Sequence, residues 1–395
     1  MPNINHEILV WARTSIGLTQ EEAAKKLGFN DNKKQSAVER LNNLEIGENS
    51  PNRATLLKMS KLYKRSLLTF YLENIPKKGE RGKDFRTLPT GYSDRNDALL
   101  DALIRNISVR QSIVRSTLED EEALPLDFVS SINLNSSNVT EVTKKLIDLL
   151  EFDINEFASK KGGVNAFKLL RSKVENVGVF VILAGDLGSY HSDIKPNIFR
   201  GFASADNIAP FIVINDNDAN TAWSFTLLHE LVHLCLGETG VSANFSEMKI
   251  EKFCNDVASE ILFPRNEITK LDITERDHID DIKKLISKYA QERNLSHTMV
   301  AYRIYREHLI DEQQWKSLQK LFYNEWINKK KSKKEAKNDG GPNFYTVRRH
   351  RIGKALLKLV SRTINEGLLT PTKAAKVLGV SPRNVSNFVN PIEGV

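Results

Sequence analysis

Apolar residues recur at helical spacing along most of this chain, which predicts a protein built mainly of helices. One short run, 178–185, is apolar throughout apart from its glycines, which predicts a central strand. The sequence therefore predicts an α+β fold that is mostly α. Helices are predicted over 6–16, 20–28, 33–44, 54–63, 93–128, 139–151, 155–172, 280–292 and 298–309, with three more after residue 344.

Capping residues mark several of these helix ends. Thr19 and Glu22 have the spacing of a capping box, and the glycine at 28 is a helix stop. Near the other end of the chain, Thr370-Pro371 and Ser381-Pro382 are helix starts, with Gly379 in the turn between them. Residues 372–388 thus have the rhythm of a helix-turn-helix, and they form either a second DNA contact or a packing lid.

Positive charge is concentrated in the C-terminal part of the chain. The formal net charge is +7, yet residues 329–395 hold fifteen Lys and Arg against four Asp and Glu, and the remainder is slightly acidic. A local basic block indicates a polyanionic partner, most often nucleic acid. For the stretch 329–337 alone, a solvated linker explains the pattern equally well.

The chain lacks the usual features of secreted and membrane proteins. No run approaches the ~20 apolar residues that a membrane helix needs, and the first residues do not have the pattern of a secretory signal. Two cysteines, Cys235 and Cys254, are too few for a disulfide framework. We expect a cytoplasmic protein, in which both cysteines are small buried residues rather than metal ligands.

The amino-terminal stretches TQEEAAKKLG, LEIGENSP and LLKMSKLYKRSL resemble the helix-turn-helix domain of phage-repressor type, over roughly residues 4–72. The resemblance implies that the helix after the turn lies in the major groove of DNA. Residues 30–34 are extra relative to the usual tight turn. The alternative is a helical bundle that only docks a partner, because its excess of basic residues is modest. The residues implied to contact DNA are Lys33, Lys34, Gln35, Ser36 and Arg40.

The strongest chemical motif is His229-Glu230-x-x-His233. A helix places residues i and i+4 on one face, so both imidazoles can bind one ion, and Glu230 can act as a base on a water at that ion. Zinc needs a third protein ligand and an open position. Glu251, which opens a further stretch of helical spacing, can supply the ligand, and Glu238 and Asp256 are alternatives.

The pair FTLLHELVH and E-x-x-C-N-x-x-A-x-E-I-L-F-P resembles the ImmA/IrrE family of zinc metallopeptidases. The resemblance implies Zn²⁺ as cofactor, His229 and His233 as two ligands and Glu251 as the third. It implies that Glu230 is the catalytic carboxylate. Asn255 matches the family's asparagine, which implies a structural role or a contact with a metal ligand.

The similarity extends upstream to RGFASADNIAPFIVIND (200–216), which implies a strand, APFIVIN, beside the cleft. The family's basic residue before the histidine helix is absent here, where Ala222-Trp223-Ser224 stand. Tyr190, His191 and Arg200 are candidates to stabilise the oxyanion of the transition state, and spacing does not select among them.

These patterns divide the chain into five predicted segments. They are a helix-turn-helix DNA-binding domain (1–75), a helical connector that ends in the polar run 130–138 (76–138), a zincin-like metallopeptidase domain with a small β-sheet (139–310), a helix with a basic linker (311–343) and a C-terminal helical domain (344–395).

We therefore expect a DNA-binding regulator with a zinc endopeptidase core. The family resemblance implies that it cleaves a repressor or antitoxin-like protein, and so controls gene expression in stress, phage or mobile-element regulation. DNA contacts are expected from the amino-terminal domain, with the basic C-terminal tail as a second candidate, and a homodimer is included among the expected assemblies. The alternative is a transcriptional regulator or antitoxin-like protein whose peptidase-like domain senses or docks a partner without cleaving it.

Overall fold

The computed structural model describes residues 3–76, 94–188, 192–237, 245–269, 271, 273, 278–335 and 343–389. The fold is α+β and mostly α, with one three-stranded sheet among the described residues, as predicted. The chain forms two compact units. The first contains residues 1–81, 87–106 and 186–194, and the second contains residues 82–86, 107–185 and 195–395.

The first unit begins with four short helices and a 3-10 turn, Leu67–Tyr71. The predicted capping box is confirmed, because the Thr19 hydroxyl accepts from the Glu22 amide and the Glu22 carboxylate accepts from the Thr19 amide. One face of each helix lines a common apolar core that includes Leu9, Leu41 and Phe70. The helices are α1 (His6–Thr14), α2 (Gln20–Leu27), α3 (Ala37–Glu45) and α4 (Arg53–Tyr63).

Helix α3 begins later than the predicted residue 33, and the reason is local. Asp31 accepts a hydrogen bond from the backbone amide of residue 37, and Asn32 accepts from those of residues 34 and 35. These side-chain bonds hold a loop that competes with helix formation. Ser36 then caps α3 in a second capping box with Glu39.

A buried ion pair joins the helices of the first unit. The Arg13 guanidinium donates to both carboxylate oxygens of Glu45, at 2.6 and 2.9 Å. It also donates to the carbonyl of Leu18, and Gln20 donates to Glu45. Both charged side chains are at most 10% exposed. The pair thus connects α1 to α3 through a fully hydrogen-bonded network.

The second unit is built around a small mixed sheet. Strand β3 (Phe211–Ile214) lies in the centre, parallel to β1 (Phe180–Leu183) and antiparallel to β2 (Gly201–Ser204). Every residue of β1 and β3 is buried, because helices cover the sheet. The helices up to residue 335 are α5 (Asp94–Asp120), which starts in the first unit, α6 (Val139–Leu150), α7 (Ile154–Ser159), α8 (Gly163–Asn176), α9 (Trp223–Leu236), α10 (Phe245–Leu262), α11 (Arg265–Ile268), α12 (Ile279–Glu292), α13 (His297–Arg306) and α14 (Glu312–Glu335).

Two predictions for this unit were wrong. Residues 178–185, predicted as a central strand, contain β1, which lies at one edge of the described sheet, and β3 is central. The helix predicted over 155–172 is two helices, because the backbone at Gly162 takes a φ of 84° and interrupts the helical bonds.

The polar run 130–138, predicted as a linker, contains no helix or strand and is mostly exposed, and it contacts the end of α9. Its amides at Ser130 and Ile132 donate to the carbonyls of Leu234 and Cys235, and Ile132 is buried in the core.

The C-terminal part of the second unit contains four further helices rather than the predicted three. Gly353, with a φ of 90°, separates the first two of them, and this glycine leaves room for side chains of α8. The Glu175 carboxylate accepts from the amides of Lys354 and Ala355 and so caps the second of these helices. The helices are α15 (Phe344–Ile352), α16 (Lys354–Asn365), α17 (Pro371–Leu378) and α18 (Ser386–Val389), with a 3-10 turn at Pro382–Asn384.

Within the part of the chain that the structure describes, none of the helices has the length and apolar character to cross a membrane.

Candidate metal centre

The candidate metal centre lies between α9 and α10, and α9 supplies most of it. This helix is apolar on nearly every side and is buried from Ser224 to Cys235 apart from one half-buried phenylalanine. His229, Glu230 and His233 are therefore enclosed, at 2%, 3% and 5% exposure. Burial of ionisable groups in such surroundings is costly unless they pair with one another or with an ion.

Three donor atoms converge at this point. The Nε2 atoms of His229 and His233 are 3.1 Å apart, and each lies 3.4 Å from a carboxylate oxygen of Glu251 on α10. A tetrahedral zinc ion with ligand bonds of 2.0–2.1 Å requires donor-to-donor distances of about 3.3 Å. The three residues therefore fit a zinc ion in both donor chemistry and spacing. Glu251 is the most accessible of them, with 35% of its side chain exposed.

The structure describes one of the two alternatives for the third ligand, Asp256. Asp256 is engaged elsewhere, because Arg306 donates to both of its oxygens at 2.6 and 2.7 Å and the Tyr302 hydroxyl donates to one of them at 2.8 Å. This ion pair ties α10 to α13 and directs Asp256 away from the histidines. Glu238 lies outside the described residues.

Glu230 has a defined position beside the edge strand. A Cβ added at Gly201 would lie 3.0 Å from Oε1 of Glu230, and it would also collide with the methyl group of Thr226. Only glycine at position 201 lets β2 approach α9 this closely. Sequence reasoning missed Gly201 and Thr226, because no strand was predicted at residue 201 and the glycine therefore gave no signal of close approach.

The charges of the centre favour a cation. Burial lowers the pKa of His233, but the Cys254 thiol, Glu251 and Glu230 raise it by more, so that this pKa lies well above its usual value. The pocket thus stabilises positive charge at His233 when no ion is bound. A metal ion would supply the same positive charge in place of the proton.

Both cysteines are buried, as predicted. Burial raises the pKa of Cys235 to about 12, which keeps its thiol protonated. Cys254 lies beside His233, but the three-residue donor cluster among the described residues is His229, His233 and Glu251 and does not include it. Asn255 follows Glu251 by one turn of α10 and is half-buried.

The five residues expected to contact DNA lie around the start of α3. Lys33, Lys34 and Arg40 are exposed, and Gln35 is half-buried. The hydroxyl of Ser36 accepts from the backbone at the start of its own helix. Arg40 lies over the Phe29 ring, 5.2 Å from its centroid.

The structure describes one of the three candidates for oxyanion stabilisation, Arg200. Tyr190 and His191 lie outside the described residues. Arg200 precedes β2 and lies 3.8 Å from a carboxylate oxygen of Asp218, with about half of its side chain exposed. Arg200 is thus the residue directly before Gly201, the glycine that lies beside Glu230.

Comparison with known families gives two matches. Residues 178–305 match the Peptidase M78 family model, described as the IrrE N-terminal-like domain, and residues 9–70 match a helix-turn-helix family model. The first match contains all four residues of the candidate metal centre, and the second contains all five candidate DNA-contact residues.

Two classes of domain are thus combined in one chain, a helix-turn-helix and a peptidase-family domain. Together they match an ImmA/IrrE-type protein with an amino-terminal helix-turn-helix, which confirms the resemblance given by the sequence. No curated protein and no solved structure matches the chain significantly.

Proposed function

We propose that this protein is a cytoplasmic, zinc-dependent endopeptidase fused to a DNA-binding domain, and that it cleaves a repressor or antitoxin-like protein to control gene expression. The observation that carries this proposal is the tetrahedral spacing of His229, His233 and Glu251 beside the buried carboxylate of Glu230. The match of the surrounding residues to a peptidase family supports it.

His229, His233 and Glu251 would hold the zinc ion. When bound, zinc supplies a Lewis acid that acidifies a water molecule and polarises the carbonyl of the scissile peptide bond. Asn255, one turn beyond Glu251 on α10, would orient that ligand.

Glu230 is not among the three proposed ligands, and it would move the proton. Its carboxylate would accept a proton as the water oxygen attacks the carbonyl carbon. It would then deliver that proton to the leaving nitrogen as the peptide C–N bond breaks. The products would be a new carboxylate and a new amino terminus. The position of Gly201 on β2, in contact with Glu230, leaves the edge strand next to the reacting groups.

DNA recognition is assigned to the amino-terminal helices. Lys33, Lys34 and Arg40 are exposed at the start of α3, where a helix-turn-helix meets DNA. Gln35 and Ser36 complete this proposed contact surface. Its net positive charge is small, so base contacts and shape would contribute much of the specificity.

The decisive experiment compares new amino termini in the proteome of cells that express the wild type or Glu230→Gln. Glutamine keeps the shape of the side chain but cannot carry the proton. We expect specific new termini in the wild type and their loss in Glu230→Gln, with the zinc content unchanged. Glu292→Gln, at an exposed position at the end of α12, is the matched control and should cleave normally.

The alternative function makes the opposite prediction. If the domain senses or docks a partner without cleaving it, wild type and Glu230→Gln will give the same set of termini and the same transcriptional response. That result would contradict the proposed peptidase activity and leave DNA binding intact.

A further inference from the structure

A helix of the amino-terminal helix-turn-helix recurs near the C-terminal end. Helices α2 and α17 share the sequence Ala-Ala-Lys-x-Leu-Gly at their ends. Thr19 caps the first helix and Thr370 caps the second, each with its hydroxyl accepting from the amide three residues on. The glycines that end them, Gly28 and Gly379, are both left-handed, with φ of 76° and 62°.

The two helices also end in the same hydrogen bonds. The Phe29 amide donates to the Ala24 carbonyl, and the Val380 amide donates to the Ala375 carbonyl, both at 3.0 Å. This pattern is a Schellman cap, which turns the chain out of the helix in one fixed direction. Three equivalent positions are buried in each helix, namely Ala23, Ala24 and Leu27 in α2 and Ala374, Ala375 and Leu378 in α17.

The segment after α17 completes a compact helix-turn-helix. The turn runs from Gly379 to Ser381, so it is shorter than the loop after α2. The next helical segment consists of Pro382–Asn384 and α18. This segment is amphipathic, since Val385, Phe388 and Val389 are buried while Pro382, Arg383 and Ser386 are exposed.

An arginine of α15 hydrogen-bonds to the turn, and a second arginine lies close to it. The Arg348 guanidinium donates to the carbonyls of Leu378 and Gly379, at 2.8 and 2.9 Å. The guanidiniums of Arg348 and Arg110 occupy the space in which a side chain at position 379 would begin. These hydrogen bonds tie the turn to α15, and positive charge lies beside it.

Charge distinguishes the two helix-turn-helix segments. Residues 343–389 contain nine basic residues (Lys and Arg) and one acidic residue. Residues 4–72 contain eleven basic and seven acidic residues. Lys373 and Lys376 lie one turn apart on the exposed face of α17, and Arg383 lies just past the turn. None of these three side chains forms an ion pair with another residue in the described ranges.

Other contacts attach this segment to the rest of the second unit. Arg351 pairs with Asp216 at 2.6 Å, and Glu175 caps α16. These contacts involve α15 and α16, so the exposed lysines of α17 are not needed for docking.

We propose that residues 343–389 form a second DNA-binding module, in which Lys373, Lys376 and Arg383 contact the phosphates of duplex DNA. The proposal rests on the DNA-binding part of the proposed function and is independent of cleavage. Duplex DNA is the partner that fits, because a helix-turn-helix fits the wide major groove of B-form DNA and not the narrow one of A-form RNA. One chain would thus contact DNA at two places.

The test measures binding of the full chain to a fluorescent 30-base-pair random DNA duplex over a salt series. The variant is Lys373→Gln/Lys376→Gln/Arg383→Gln. Lys33→Gln/Lys34→Gln/Arg40→Gln removes the same charge from the amino-terminal site. The matched control is Lys144→Gln/Lys145→Gln/Lys161→Gln, at exposed positions of the peptidase unit.

Loss of three phosphate contacts should weaken binding by about 100-fold at 0.15 M salt and reduce the slope of log affinity against log salt by about 2.7. The charge-preserving variant Lys373→Arg/Lys376→Arg/Arg383→Lys should bind like the wild type. Affinity and slope equal to those of the control, with loss only in the amino-terminal variant, would overturn this inference alone. Absence of DNA binding by the wild type would overturn DNA binding as a whole, and tighter binding to duplex RNA would overturn the choice of partner.

Discussion

The amino-terminal bundle (α1–α4) and the C-terminal bundle (α15–α18) share a capped helix but are stabilised by different parts of the molecule. In the amino-terminal bundle, the buried pair Arg13–Glu45 joins two helices of the bundle itself. The C-terminal bundle depends on Arg171 and Glu175 of α8, whose charged groups contact its backbone. The difference indicates that a short sequence is enough to specify a helix and its cap, whereas the anchoring of the bundle depends on distant residues.

The largest loss of stability should come from breaking the Arg13–Glu45 ion pair of the amino-terminal bundle. Glu45→Ala leaves the Arg13 guanidinium buried without its partner, which we expect to destabilise the amino-terminal bundle by about 3–5 kcal/mol. Hydrogen exchange of the amides of α1 and α3 measures this change. Glu48→Ala, at an exposed position, should change stability by less than about 0.5 kcal/mol. Equal effects of the two substitutions would show that the ion pair does not anchor the bundle.

A somewhat smaller effect is expected for the pair that anchors the C-terminal bundle. Glu175→Ala removes the cap of α16 and one partner of Arg171, but Arg171 keeps the carbonyls of Val181 and His350. We expect a local loss of about 2–3 kcal/mol, seen as faster exchange of the α16 amides while α1 is unchanged. Glu366→Ala, exposed at the end of α16, is the control. Protection of α16 that stays at the wild-type level would contradict the anchoring role of Glu175.

The smallest loss of stability is expected for the threonine caps, which are the feature that the two bundles share. Thr19→Ala and Thr370→Ala should each destabilise their helix by about 1 kcal/mol, because each removes a hydroxyl that caps a helix. Exchange of the amides of Ala24 and Ala375 reports the two effects separately, and Thr→Ser at either site should retain most of the cap. Clearly unequal losses would mean that α2 and α17 are not equivalent structures.

The sequence predicted features that depend on neighbouring residues. The capping box at Thr19, the helix stop at Gly28 and the turn at Gly379 were confirmed, because each requires only residues within one helical turn. The convergence of His229 and His233 belongs to the same group, since a helix alone brings residues i and i+4 together.

Features that depend on distant contacts were beyond the sequence. The family resemblance implied Glu251 as the third ligand, but the physical reason against Asp256, its ion pair with Arg306 50 residues away, could not be read from the sequence. The run 130–138 has the polarity of a linker and is mostly exposed, but the burial of Ile132 and the backbone bonds to the end of α9 depend on residues about 100 positions away. The role of Gly201 is likewise visible only when β2 lies beside Glu230.

The central claim is that His229, His233 and Glu251 form a zinc site. The most direct test is the zinc content of the purified full chain, measured by elemental analysis for the wild type, His233→Ala and Glu251→Ala, with Glu292→Ala as the control. We predict about one zinc per chain in the wild type and the control, and loss in both ligand variants. A wild type that holds no zinc even after supplementation, or ligand variants that retain it, would contradict the claim.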